Sequence, residues 1–189
     1  MKIAIIDTLG LCYDGTTLTK QGLGGSESAV ILMSSELVKL GFQVDVYNNC
    51  NDSKSSSGTY DGVRYIDHTE YKNSPIEYDV FISSRSVFPF INGNTYAEMA
   101  SRAKHRVLWM HDTFCQGDEH IENLLINNVI NEVFTLSDFH TSYVTTSEHG
   151  PKRMFEVMKK YVWQTRNGAV KRIEDVSLSD KDKNHFVYN

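Results

Sequence analysis

Short apolar runs alternate with segments of helical periodicity along most of this chain, and that alternation restricts the fold more than any other feature. Residues 3–7 form an isoleucine-rich apolar run, and residues 26–40 carry apolar side chains spaced by three and four before Gly41. Residues 43–47 then predict a second strand. Continuously apolar strands are typical of a parallel sheet covered on both faces. These segments therefore predict a βαβ unit, with Ser26 as the N-cap of its helix.

The same alternation continues to about residue 163. Further strands are predicted at residues 63–66, 79–83, 106–111, 132–136 and 161–163, and further helices at 97–104, 119–130, 138–146 and 151–160. Residues 8–25 and 48–60 are polar and contain glycine, which predicts loops. This order of elements predicts a doubly wound α/β fold, with a mostly parallel sheet and helices on both faces.

The length of 189 residues fits one domain with a tail. Residues 1–170 predict a single Rossmann-like domain. Residues 171–184 are rich in charged residues and serine and predict a linker, in which the Asp-Lys-Asp sequence at 180–182 is interpreted as solvated charge. Residues 185–189 resemble a strand that begins and is not completed. We therefore expect them to open a C-terminal domain that this sequence lacks.

Charge and cysteine content exclude several classes of protein. The chain has 19 Lys and Arg against 24 Asp and Glu, a net charge of −5, which disfavours binding of nucleic acid through a basic face. Its three cysteines are widely spaced and odd in number, which indicates a reducing, cytoplasmic compartment rather than a disulfide framework. No apolar run approaches the roughly 18 residues of a membrane span, so no transmembrane segment is expected, and contact with a membrane surface is left open.

The first candidate site is the glycine loop before the first long helix. In open α/β sheets, ligands bind beyond the carboxyl ends of the strands. Gly24 and Gly25 lie there, at a helix N-terminus, where backbone amides and the helix dipole favour a phosphate. The alternative is a tight turn without a ligand. The loop lacks the lysine of a Walker A motif, and Ser28 stands where a dinucleotide fingerprint has its third glycine, so an NAD-dependent oxidoreductase is disfavoured.

The second candidate is His111, which ends a predicted strand and is followed by Asp112. Such a histidine can hydrogen-bond a sugar hydroxyl or a phosphate, or act as an acid or base; the alternative is a satisfied histidine without a ligand. Four residues at or near predicted strand ends are candidates for binding the substrate: Arg85, Asp112, Ser137 and Asn167.

Metal binding is not expected. His111, Cys115 and His120 lie near one another in sequence, but their spacing matches no standard zinc pattern. The remaining five histidines are predicted to be surface residues.

Several segments, taken in order, resemble the N-terminal domain of retaining GT-B glycosyltransferases of the glycogen-synthase-like family 4. The matching segments are residues 3–7, Gly24-Gly25-Ser26-Glu27, 40–44, 62–64, Trp109-Met110-His111-Asp112, 134–139, 166–170 and 186–188. The acidic stretch and the basic residues that bind the donor in the C-terminal domain of that family do not occur in this sequence.

The resemblance implies a hexosyltransferase with two Rossmann-like domains, of which this chain is the N-terminal, acceptor-side half and is inactive alone. Its donor would be a nucleotide-sugar and its acceptor a carbohydrate, lipid or protein, with no cofactor and no metal. By the same resemblance, Gly24 and Gly25 would bind the donor diphosphate and His111 would be the catalytic residue beside the transferred sugar. The resemblance also implies that Ser137 and Asn167 line the rim of the site.

Two other functions are compatible with the residues. One is a non-catalytic α/β module that binds a phosphorylated or sugar ligand. The other is a nucleotide-sugar epimerase of GT-B architecture, which would act without an acceptor.

Overall fold

A computed structural model describes residues 1–52, 55–73, 77–145 and 160–165 of the protein. They contain one sheet of eight strands, with the order β3-β4-β2-β1-β5-β6-β7-β8. The strands are β1 (Lys2–Asp7), β2 (Gln43–Asn48), β3 (Gly58–Tyr60), β4 (Val63–Asp67), β5 (Val80–Ser84), β6 (His105–Trp109), β7 (Glu132–Thr135) and β8 (Val162–Gln164). All neighbours pair in parallel except β3 and β4.

The sheet is wound in two directions from its centre. The chain runs from β1 outward through β2 to β4, and then returns to the other side of β1 and runs outward from β5 to β8. β1 therefore pairs with both β2 and β5, and the strand order reverses between β1 and β5. In a doubly wound sheet this point of reversal opens a crevice at the carboxyl ends of the strands.

Helices cover both faces of the sheet. The chain winds away from β1 in two opposite directions, and right-handed crossovers in opposite directions lie on opposite faces. The described helices are α1 (Thr17–Lys20), α2 (Gly25–Lys39), α3 (Ala97–Arg102), α4 (Ile121–Ile126) and α5 (Asp138–Thr145). On one face α2 packs its buried apolar side chains on those of β1, β2 and β6. On the other face α3, α4 and α5 pack on alternate residues of β1, β5, β6 and β7. The doubly wound, Rossmann-like α/β prediction is confirmed.

Local predictions were wrong at three places. Helix α2 begins at Gly25 with Gly24 as its N-cap, so Ser26 lies inside the first turn, where its hydroxyl donates to Glu27. The predicted loops at 8–25 and 48–60 contain α1 and β3. Helix α4 ends at Ile126, near the left-handed backbone of Asn128 (φ 52°).

Other predictions lie wholly or mostly outside the described residues: the helix at 151–160, the linker at 171–184 and the start of a further domain at 185–189. Within the described part of the chain, no helix is both long enough and apolar enough to cross a membrane.

Candidate functional site

The candidate site lies at the carboxyl edge of the sheet, beside the point where the strand order reverses. Asp7 ends β1, Arg85 follows β5, and His111 lies two residues beyond the end of β6. Helix α2 follows β1 in the chain, so its N-terminus, at Gly25, faces the same edge. The topology thus brings together residues that are far apart in the sequence.

A buried ion-pair cluster joins three of these elements. Arg85 donates from Nη2 to Asp7 Oδ1 at 2.7 Å and to Glu27 Oε1 at 3.4 Å. The side chains of Asp7 and Glu27 are 0% and 5% exposed, and that of Arg85 is 16% exposed. The Tyr13 hydroxyl donates to the second Asp7 oxygen at 2.9 Å. Arg85 has a left-handed backbone conformation with φ 63°. Residues other than glycine adopt this conformation rarely, and mainly where the surrounding structure constrains them.

The Glu27 carboxylate lies at the N-terminus of α2, where a helix favours negative charge. It accepts hydrogen bonds from the Leu11 N–H at 3.2 Å and from the Ser26 hydroxyl at 3.1 Å. Burial raises the pKa of Glu27, but hydrogen bonds from backbone amides, including its own, and the charge of Arg85 outweigh burial, so the net shift is downward. Glu27 is therefore ionised at neutral pH.

The two glycines of the predicted phosphate loop have different surroundings. A Cβ at Gly24, or at Gly10 on the opposite side, would overlap a carboxylate oxygen of Glu27. At Gly25 a Cβ would meet no described atom within 4 Å. The N–H groups of Gly25 and Ser26 lie in the first helical turn, where no intrahelical acceptor exists. A Cβ at Gly25 would therefore point into open space, while Glu27 fills the space beside Gly24.

His111 is a neutral imidazole at the end of β6. Burial lowers the pKa of His111 to about 4, and the charge of Arg85 adds to this shift, against the charges of Asp112 and Glu27. Its ring centroid lies 4.3 Å from that of Trp109, with a 43° angle between the planes. Both ring nitrogens are buried and have no hydrogen-bond partner among the described residues.

Other polar atoms near this edge are also buried without a partner in the described part of the chain. They are Ser84 Oγ, Arg85 Nε and Trp109 Nε1. Ser84 is in register with Trp109, so these two residues are neighbours at the ends of β5 and β6. Buried polar groups in proteins nearly always have a hydrogen-bond partner. These groups lie at the carboxyl edge of a doubly wound sheet, which is the edge where ligands bind in such folds.

The remaining predicted site residues differ in what they do. The Ser137 hydroxyl accepts the His140 backbone N–H at 3.1 Å and so caps α5, which is a structural role. Asp112 is exposed, and its charge acts on both His111 and His140. Asn167 lies outside the described residues.

Sequence reasoning missed four residues of the site. Asp7, Tyr13 and Glu27 were not recognised as members of an ion-pair cluster, although an acid that ends a buried strand and an acid three residues after Gly24 were visible signals. The prediction that His140 lies on the surface was wrong, because the residue is 5% exposed. Its burial depends on a contact with the Leu136 backbone that no sequence pattern reports.

A cavity of about 370 Å³ lies elsewhere, at the start of the strands. Its lining includes Lys2, Gln43 and Arg64, and Arg64 is already paired with Asp45, which also lines it. This cavity lies at the amino edge of the sheet, and the Arg64 guanidinium that lines it is already paired. We therefore place the candidate site at the carboxyl edge.

Among the residues that the structure describes, no group of three or more His, Cys, Asp or Glu side chains could hold a metal ion. No protein-family model, no curated protein and no solved structure matches this chain. The fold and the site define the class as a Rossmann-like α/β domain with a donor-rich carboxyl edge.

Proposed function

We propose that this chain is the N-terminal, acceptor-side domain of a cytoplasmic retaining glycosyltransferase that moves a hexose from a nucleotide-sugar to an acceptor. The observation that carries the proposal is the meeting, at one edge of the sheet, of the N-terminus of α2 with the neutral His111, whose ring nitrogens have no partner among the described residues. The ordered sequence resemblance to family 4 of the GT-B enzymes points to the same reaction.

The proposed chemistry needs anion stabilisation more than it needs a nucleophile. When a sugar leaves a nucleoside diphosphate, negative charge develops on the diphosphate, and preorganised amides at a helix N-terminus stabilise such charge. The amides of Gly25 and Ser26 fit this role. A neutral His111 carries one N–H donor and one acceptor nitrogen, which matches the two hydrogen-bonding functions of a sugar hydroxyl.

The charge of the ion-pair cluster favours a second candidate, a module that binds a sugar without catalysis. Asp7 and Glu27 contribute two carboxylates against the one guanidinium of Arg85, a net charge of −1. This charge favours a neutral polyol over a free diphosphate. In a transferase, basic groups from a second domain would have to offset it.

The test uses the complete gene product and a panel of nucleotide-sugars, with release of nucleoside diphosphate as the measurement. We expect release from one donor, unchanged by a chelator and reduced at least about tenfold by His111→Ala. The control variant is His120→Ala, because the His120 side chain is 47% exposed and lies outside the cluster. Release that does not respond to His111→Ala would refute the site assignment. Binding of free sugars without any release would support the binding module.

A further inference from the structure

We infer that the aromatic surface formed by Phe114, Phe139 and Tyr143 binds a basic polypeptide segment that carries apolar side chains. This surface lies at the carboxyl edge of the sheet, where the chain leaves β6 and β7. The inference goes beyond the proposed function and does not depend on it, because exposure and charge alone define the surface.

The side chains of this surface are large, apolar and exposed. Phe114 is 69% exposed and Phe139 is 68% exposed. The ring centroid of Phe139 lies 6.2 Å from that of Tyr143, one turn further along α5. Single exposed apolar side chains are common, but aromatic side chains grouped at one place are typical of surfaces that bind other proteins.

Two segments that are distant in the sequence meet to form the surface. Phe114 lies in the loop after β6, and Phe139 lies in the first turn of α5, after β7. Strands β6 and β7 are neighbours in the sheet, so both segments leave it at the same edge. The His140 ring hydrogen-bonds to the Asp112 backbone, which joins the two segments directly. The aromatic side chains therefore belong to one surface.

This part of the molecule is strongly acidic. Residues 107–145, from within β6 to the end of α5, contain six Asp and Glu and no Lys or Arg. Their net charge of −6 exceeds in magnitude the −5 of the whole chain. Four of the six carboxylates lie at the carboxyl edge, between β6 and α4 or at the start of α5: Asp112, Asp118, Glu119 and Asp138.

The carboxylates of this edge act on one another. Burial raises the pKa of Asp118, and the charge of the neighbouring Glu119 raises it further, as expected where carboxylates lie close together. Asp112 and Asp138 are exposed, and each lies within two residues of an exposed phenylalanine. Apolar contact area and uncompensated negative charge therefore occur together at the surface.

These two properties determine the class of partner. Burial of apolar groups against the aromatic side chains is favourable, and the excess of carboxylates attracts cations and repels anions. An anionic membrane surface and a nucleic acid are therefore disfavoured. A neutral lipid would complement the aromatic side chains and leave the charge without a counterpart. A polypeptide with lysine or arginine beside aliphatic side chains complements both.

Binding of labelled peptides to the complete gene product, measured by fluorescence anisotropy, tests the inference. The probes are a lysine-leucine peptide, a lysine-serine peptide of the same charge and a serine-leucine peptide without charge. We expect the lysine-leucine peptide to bind at least about tenfold more tightly than either of the others, because it alone supplies both complements. We also expect its binding to weaken as the salt concentration rises.

Substitutions separate this surface from the rest of the protein. Phe114→Ser and Phe139→Ser should each weaken binding of the lysine-leucine peptide at least about fivefold, and should leave the unfolding midpoint unchanged because both side chains are exposed. Leu40→Ser is the matched control, since Leu40 is 72% exposed at the C-cap of α2, and it should not change binding. Asp138→Asn should weaken binding about twofold, whereas Glu36→Gln, which removes an exposed charge on α2, should not change it.

Several results would overturn the inference. Equal affinity for the lysine-leucine and lysine-serine peptides would show that charge acts alone. Equal affinity for the serine-leucine peptide would identify a neutral apolar partner, such as a lipid. Binding that does not respond to Phe114→Ser or Phe139→Ser would place the peptide elsewhere, and absence of binding would exclude the partner class. None of these results bears on release of nucleoside diphosphate, so the proposed function is tested separately.

Discussion

Substitution of Arg85 by methionine is expected to destabilise the fold by about 3–5 kcal/mol, because it leaves buried carboxylates without their counter-charge. Asp7 is fully buried and, among the described residues, would keep only the Tyr13 hydroxyl as a donor. Glu27 would keep its hydrogen bonds from Leu11 and Ser26. Most of the loss should therefore come from Asp7. Methionine is unbranched, as arginine is, so the left-handed backbone at this position adds little to the difference.

Arg64→Met is the matched control for this experiment. Arg64 also pairs with an aspartate, Asp45, but its side chain is 44% exposed. Exposed ion pairs contribute about 0–1 kcal/mol, so this variant should lose no more than about 1 kcal/mol. The two variants remove the same group and add the same side chain, and they differ chiefly in the burial of the pair.

Guanidinium chloride unfolding, followed by circular dichroism and by tryptophan fluorescence, gives the free energy of unfolding of each variant. Coincidence of the two signals tests whether unfolding is two-state. If Arg85→Met and Arg64→Met lose the same free energy, within about 1 kcal/mol, then the cluster of Arg85, Asp7 and Glu27 is not a buried unit and the reasoning fails.

Three further outcomes follow from the site. The pKa of His111 is lowered from 6.5 to about 4, so the unfolded chain binds a proton at a higher pH than the folded protein does. The free energy of unfolding should therefore fall by about 3 kcal/mol as the pH decreases from 6.5 to about 4. Unfolding measured across this pH range checks the prediction, and His111→Gln should remove this contribution to the slope. Gly24→Ala should lose about 1–3 kcal/mol in denaturant unfolding, because its Cβ overlaps the Glu27 carboxylate, whereas Gly25→Ala should be neutral or stabilising by up to about 1 kcal/mol. Ser137→Ala removes the side-chain cap of α5 and should lower the free energy of unfolding by about 1 kcal/mol.

Each of these three outcomes has a result that contradicts it. A pH slope that is the same in His111→Gln as in the unsubstituted protein would assign the titration to another group. Equal effects of the Gly24 and Gly25 substitutions would show that Glu27 does not occupy the space beside Gly24. An unchanged midpoint for Ser137→Ala would show that its hydroxyl is free to serve a ligand.

Most of the strands and the doubly wound fold class were accessible from the sequence, because burial on both faces leaves a strong apolar signature. Residues 3–7 and 43–47 fall within β1 and β2, and Gly41 has the left-handed backbone (φ 88°) expected just after a helix. Because the carboxyl ends of parallel strands meet at one edge of a sheet, Arg85 and His111 could be assigned to the same edge from the sequence.

The contacts within the site were not accessible, because they join residues that are distant in sequence. Arg85 and Asp7 are 78 residues apart, and only the pairing of β1 with β5 makes them neighbours. The Ser26 prediction failed for a different reason. The helix begins at Gly25, before Ser26, and a local capping rule does not fix a helix start to within one residue.

The central claim is that a ligand binds at the carboxyl edge of the sheet. Hydrogen–deuterium exchange with and without the proposed nucleotide-sugar donor tests this claim most directly. The account predicts slower exchange in peptides that contain Gly25, Arg85 and His111. Slower exchange instead around Gln43 and Arg64, which line the cavity at the opposite edge, would contradict it.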